Sequence, residues 1–148
     1  MVSYRQGKFK PKNPDKYGGD PTNIVFRSSY ELKMFEYCDL TESVKSWGSE
    51  EKFIVYLDPV SGKYKRYFPD IFMKYIDAEG KLKKLVVEIK PKKDLIEPEK
   101  NPKRKTKSWV YQVQMWARNQ AKWSAAKEWC KHNDHEFRIF SEYQLGIK

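Results

Sequence analysis

The stretch Tyr67–Lys90, "YFPDIFMKYIDAEGKLKKLVVEIK", decides how this chain is read. Two runs rich in β-branched and aromatic residues flank the turn formers Asp77–Gly80, the signature of a β-hairpin. With Ala78, Glu79 and Gly80 as a three-residue loop, Gly80 supplies the left-handed residue that loop needs. Asp77 then faces Lys81, and counting back sets Asp70 opposite Glu88. Side chains alternate along a strand. Glu88 and Lys90 therefore share one face, with Leu85, Val87 and Ile89 on the other, and Asp70 lies with Phe68 and Phe72. A two-residue loop would shift this register by one.

Two carboxylates facing each other across a hairpin repel. A divalent cation between them removes the conflict. Magnesium takes hard oxygen ligands and keeps several waters, so one or two carboxylates are enough to hold it. There it would polarise a phosphodiester and acidify a water. Lys90, beside it, would orient that water or stabilise charge in a phosphorane-like transition state. A plain reading stands alongside: Glu-x-Lys is frequent on exposed strand faces, and Asp after Pro often opens a strand.

Upstream, Glu51–Leu57 ("EKFIVYL") reads as a strand, Asp58–Gly62 ("DPVSG") as a turn, and Lys63–Phe68 as a returning strand. With the hairpin these make an antiparallel meander. "RSSYELKMFEYCDL" places Tyr30, Met34, Tyr37 and Cys38 on one helical face, predicting a helix from about Ser29 to Asp39. Ser28 and Glu31 have capping-box spacing, so Glu31 has a local structural reading. Trp109–Asn133 is a long helix capped by Asn133, and His135–Phe140 a further strand. Trp109, Val113, Trp116, Gln120 and Trp123 form a stripe suited to packing on the sheet, with base stacking as the rival. The order α-β-β-β-α-β predicts an α/β (α+β) fold, a mixed central sheet flanked by helices. Residues 1–25 are polar, basic and broken by Pro and Gly. They read as an extended arm, ordered only against a partner or the chain's own domain, which then spans 26–148.

The net charge is +10, from 30 basic and 20 acidic residues, which points to a polyanionic partner, most simply nucleic acid. The Pro-interrupted loop after the hairpin concentrates that charge. Lys92, Lys93, Lys103, Arg104, Lys105 and Lys107 are its candidate phosphate contacts. No apolar run approaches the roughly 18 residues of a membrane span, and the N-terminus lacks the apolar core of a secretory signal. Cys38 and Cys130 read as reduced, buried small hydrophobes. His132 and His135 lack zinc spacing and read as surface polar.

Pro69-Asp70, followed by Glu88-Ile89-Lys90 at the end of the next strand, resembles the PD-(D/E)xK signature of restriction-endonuclease-like nucleases. The resemblance implies phosphodiester hydrolysis dependent on Mg²⁺ or Mn²⁺. Asp70, Glu88 and the Ile89 backbone carbonyl would be ligands and Lys90 catalytic. Glu31, on the preceding helix, would complete the acidic cluster. Gln120 or Lys122 of the long helix would approach the site. A wider likeness rests on "YRQGKFKPKNPDKY", "FRSSYELK", "EIKPKK", "NPKRKTKS", "NQAKWSAAKEWC" and the closing "LGIK". Through these the chain is similar to the head-completion nucleases of T-even-type tailed bacteriophages. That implies DNA and phage head or portal-vertex proteins as partners, and action in the host cytoplasm during assembly or in the virion. Two rivals remain: a non-catalytic plug that binds DNA or the head vertex, and a resolvase-like nuclease for branched DNA.

Overall fold

The hairpin forms in the three-residue register. Ile71 pairs with Val87 and so on to Ile76 with Leu82, the Asp77 N–H donates to the Lys81 carbonyl at 2.9 Å, and Gly80 takes φ +79°. In the computed structural model, which describes residues 6–146, these strands sit at the centre of the main sheet. In chain order the elements are β1 (Gly7–Phe9), β2 (Ile24–Phe26), α1 (Ser29–Leu40), β3 (Val44–Gly48), β4 (Ile54–Leu57) and β5 (Tyr64–Tyr67). Then come β6 (Ile71–Ile76), β7 (Leu82–Ile89), α2 (Lys107–His132), β8 (Glu136–Phe140) and α3 (Glu142–Leu145). The main sheet has the order β3-β6-β7-β8, antiparallel except where α2 carries the chain over to the parallel pair β7/β8.

Alternation along β7 separates two cores. Leu85, Val87 and Ile89 join Ile71 and Met73 beneath Met34, Phe35 and Cys38 of α1 and Ile24 and Phe26 of β2. Val86, with Phe72, packs against Trp123, Ala126 and Cys130 of α2 and Ile54, Tyr56 and Tyr67 of the β4–β5 ribbon. Both cysteines are buried and free, as read from the sequence. Glu88 lies on the second face, between the sheet and α2.

Two expectations need correction and one is narrowed. First, β4 and β5 do not extend the meander but pair only with each other. Pro69 interrupts the backbone donors between β5 and β6, and the edge of the main sheet is taken by β3. "SVKSWG" gave little strand signal because Ser and Gly dilute it, yet Val44 and Trp47 are buried. Second, the arm is folded from residue 6 onwards; residues 1–5 lie outside the described residues. β1 pairs with β2, and the carboxylate of buried Asp39 accepts from the N–H groups of Lys12 (2.7 Å) and Asn13 (2.9 Å). The Lys16 ammonium meets the carbonyls of Asp39 (3.0 Å) and Thr41 (2.8 Å), a cation where the dipole of α1 ends negative. From Gly7 on, the arm is thus ordered against the chain's own domain, one of the two alternatives read from the sequence.

Third, of the predicted tryptophan stripe only Trp123 is fully buried; the buried side of α2 runs through Asn119, Trp123, Ala126 and Cys130. A 26-residue helix is about 39 Å long, whereas the eight residues of β7 cover about 27 Å. The first turns of α2 therefore overhang the sheet. They cover the loop after β7 instead, and the Trp109 indole N–H donates to the Glu99 carbonyl at 2.7 Å.

A buried charge cluster ties the β4–β5 ribbon to α2. The Asp58 side chain is fully inaccessible and accepts from the Val60 N–H (3.0 Å), the Ser61 hydroxyl (2.9 Å) and Arg118 Nε (3.2 Å), with the Lys65 ammonium at 3.1 Å. Burial alone would raise its pKa; the donors outweigh burial and hold it well below the ordinary 3.8. Such a group contributes stability above its unfolded value and loses it as pH falls toward the folded one. Asp58→Asn is expected to melt roughly 5–10 °C lower at pH 7. Thermal scans from pH 7 to pH 3 check this: the gap to the native protein should hold down to about pH 4 and begin to narrow below it.

Candidate active site

The site begins with a missing donor. In the hairpin register the pair beyond Ile71/Val87 on the hydrogen-bonded side is Pro69/Ile89. Pro69 is fully buried and has no N–H to give the Ile89 carbonyl. The N–H of Ile89 turns to Asp70 Oδ2 instead, at 2.7 Å. A residue's N–H and C=O leave a strand on the same side, so the Ile89 carbonyl points to the edge where Asp70 stands. The dipeptide Pro-Asp thus frees one main-chain oxygen and places a carboxylate beside it.

Glu88 lies opposite Asp70, as the three-residue loop predicts, and is buried. Its Oε2 accepts from the Tyr67 hydroxyl at 2.7 Å and the Trp123 indole N–H at 3.0 Å. Burial, then Glu88, push the Tyr67 hydroxyl far above its usual range, so it stays a donor. Asp70 keeps some solvent contact, yet the protein packed around it, then the neighbouring Glu88 carboxylate, hold its pKa well above the usual range. The Ile89 N–H opposes that rise, and Glu31 adds to it.

Glu31 enters this field from the first turn of α1. Its N–H donates to Ser28 Oγ at 3.2 Å, so Ser28 caps the helix as the spacing predicts. Its carboxyl is raised, chiefly by burial. Arg27, paired with Glu50 at 2.6 Å, also feels the charge of Glu31 and Asp70. Among the described residues no three His, Cys, Asp or Glu side chains gather as a metal-holding group. Glu31 lies close enough to Asp70 for its charge to raise that carboxyl.

Lys90 leaves β7 on the Glu88 side, half-buried, with its N–H on the Phe140 carbonyl at 2.9 Å. Beside it Lys122 lies 5.8 Å from the ring centres of Tyr56 and Tyr67. Its pKa is lowered mainly by burial and further by Lys90 and Arg118, against the pull of Glu88. Gln120 is exposed, so of the two accessory candidates Lys122 is the one near the acids. A cleft of about 620 Å³ opens past Lys90, between α2 and residues 93–98. Lys93 lines it, and Lys103, Arg104, Lys105 and Lys107 are exposed beyond it. Lys92 differs: its N–H donates to Glu142 at 2.6 Å and its ammonium lies 5.0 Å from the Tyr143 ring centre, which commits it to α3.

Sequence reasoning missed Tyr67, Arg27 and the polar role of Trp123. A signal existed for Trp123: a buried indole N–H needs an acceptor, and apolar helix neighbours supply none. The donor chemistry fits a divalent cation. Apart from their contact with each other, Asp70 and Glu88 each leave one carboxylate oxygen without a protein donor among the described residues, and the Ile89 carbonyl lacks its strand partner. Three hard oxygens from adjacent positions suit an ion that keeps much of its water.

Residues 41–142 match a family model described as TnsA-like endonuclease N terminal, a span that holds Asp70, Glu88 and Lys90 and begins after Glu31. Across 96% of this chain and 96% of the relative, the sequence is 39% identical to the head completion nuclease of Enterobacteria phage T4. The nuclease resemblance and the restriction-endonuclease-like α/β fold drawn from the sequence both stand. The chain belongs to the TnsA-like endonuclease N-terminal family.

Proposed function

We propose that this endonuclease cuts DNA with the help of Mg²⁺ or Mn²⁺ held at Asp70, Glu88 and the Ile89 carbonyl. The observation that carries the reading is the Asp70–Glu88 pair itself: two facing carboxylates, with the pKa of Asp70 held high by burial and by Glu88. A bound divalent ion supplies Lewis-acid polarisation of the phosphodiester and an acidified water. Tyr67 and Trp123 fix the Glu88 rotamer by taking one of its oxygens, so the other stays presented. The Ile89 N–H does the same for Asp70. Lys90 positions the attacking water and offsets charge on the phosphate. Lys122 adds positive charge between them, and Glu31 hydrogen-bonds waters around the pair. Lys93, Lys103, Arg104, Lys105 and Lys107 hold the flanking backbone, which makes affinity fall with salt.

The setting is phage head completion, an assignment supported by the name of the T4 relative. Its partners there are DNA and proteins of the head or portal vertex, met in the host cytoplasm during assembly. The described helices include none long and apolar enough to cross a membrane. Supercoiled plasmid incubated with the protein tests the metal reading. Nicking and linearisation are expected with Mg²⁺ or Mn²⁺ and loss of both in EDTA; equal cutting in EDTA would reject it.

A further inference from the structure

The cleft past Lys90 is more than a path for the DNA backbone. One wall is a face of α2 carrying Tyr111, Met115, Trp116 and Asn119; the other is the loop 93–98. That loop is anchored at both ends. The Lys92 N–H is bonded to Glu142, and the Glu99 carbonyl takes the Trp109 indole N–H. The cleft is therefore a built feature. Its charges cancel, Lys90 and Lys93 against Asp94 and Glu97, so phosphate attraction alone does not explain its shape.

Asn119 is the second observation. It is only 8% exposed, yet its side-chain amide has no hydrogen-bond partner among the described residues, and it lines this cleft. Among the described residues only the Trp47 indole N–H is wholly buried without a partner, so the Asn119 amide reaches the space of the cleft and is free to bond what enters it. An amide offers donors and an acceptor together, which is what the edge of a nucleobase answers. Trp116 and Tyr111, the latter 62% exposed, offer π faces beside it. Bases stack on such faces regardless of sequence. A volume of about 620 Å³ lies in the range of small-molecule sites and suits an unpaired nucleotide rather than a duplex.

We infer that this cleft holds an unpaired nucleobase next to the scissile phosphate. Trp116 and Tyr111 stack on it and Asn119 bonds its edge, so the preferred substrate is DNA with unpaired nucleotides at the cut. This rests on the nuclease reading above and narrows its substrate class.

Two measurements on the full chain test it. The first compares initial cutting rates on a duplex and on the same duplex with a short unpaired stretch, in Mg²⁺. The second follows 2-aminopurine fluorescence at the unpaired position, with protein in EDTA. Stacking on an aromatic quenches the fluorophore without any cleavage. A preference of about tenfold or more is expected for the unpaired substrate, with clear quenching. In Tyr111→Ala and Asn119→Ala the rate ratio should fall toward one and the quenching should weaken. Tyr111 is exposed enough that its loss leaves the fold in place, should Asn119→Ala not fold. Equal rates on the two DNAs, or quenching unchanged in Tyr111→Ala, would overturn the cleft assignment while leaving the nuclease reading intact. Quenching without cutting of either DNA would support the cleft and sink the nuclease reading instead.

Discussion

Asp70→Asn is expected to abolish plasmid cutting, by about 10³-fold or more, while the protein becomes more stable in EDTA. The two effects share one cause. The Asp70 carboxyl is held above its ordinary range by burial and by Glu88, so the folded state resists its ionisation. A group raised in this way contributes stability below its unfolded pKa, and that contribution is lost as pH rises through the folded value. At pH 7 in chelator the native protein therefore carries a penalty that asparagine removes. Asparagine still offers Oδ1 to the Ile89 N–H, so the local geometry survives. Melting scans in EDTA from pH 4 to pH 8 should show the native protein weakening with pH relative to the variant. Adding Mg²⁺ should raise the melting temperature of the native protein, because a ligand that binds only the folded state stabilises it, and should move the variant little. A variant that cuts at native rates would remove Asp70 from the chemistry. One that melts lower in EDTA would show a structural carboxylate instead.

The acidic pair was legible before any coordinates because a turn fixes a register. Asp77, Gly80 and Lys81 determine where Asp70 and Glu88 meet, and side-chain alternation then sends Val87 to one core and Glu88 to the other. Pro69 carried more than its motif letter suggested: its missing N–H follows from the same count, and explains why the Ile89 carbonyl is spare. Other parts lay beyond local reasoning. β3 is a strand because β6 offers an unpaired edge, and a five-residue segment with a bulge does not announce that. The arm is folded because Asp39, on the far end of α1, meets its N–H groups across a separation of 26–27 residues. α2 misled in a different way. Its tryptophans have helical spacing over their whole length, but the sheet beneath is too short to bury them. Of these, Trp116 lines the cleft and Trp109 holds the loop beside it through the Glu99 carbonyl. Glu31 stayed ambiguous for a physical reason: its N–H takes the Ser28 cap in the first turn of α1 while its charge reaches Asp70.

Lys90→Ala should separate chemistry from metal holding. The ammonium is the cation that β7 delivers to the acidic face of the hairpin, two residues beyond Glu88, and it lines the cleft where a phosphate would pass. Its removal takes away neither carboxylate, nor the Ile89 carbonyl, nor the Tyr67 and Trp123 bonds that orient Glu88. The rise in melting temperature on adding Mg²⁺ should therefore persist, in contrast to Asp70→Asn. Cutting should fall by about 10²–10⁴-fold, the range for losing a positioned proton-transfer or charge-stabilising group. Affinity for DNA, measured in EDTA, should change only a few-fold, because the exposed lysines and Arg104 of the following loop carry most of the backbone contact. Arginine is a poor substitute here. Its planar fork spreads the charge that a compact ammonium concentrates, so Lys90→Arg should recover binding but little rate. Lys122→Gln supplies the comparison within the same field. Lys122 is half-buried near Glu88 and Lys90 but does not lead from the hairpin into the cleft. Its loss should slow cutting by about tenfold or less. A Lys90→Ala protein that cuts at the native rate, or a Lys122→Gln protein that is the slower of the two, would move the catalytic cation from β7 to α2.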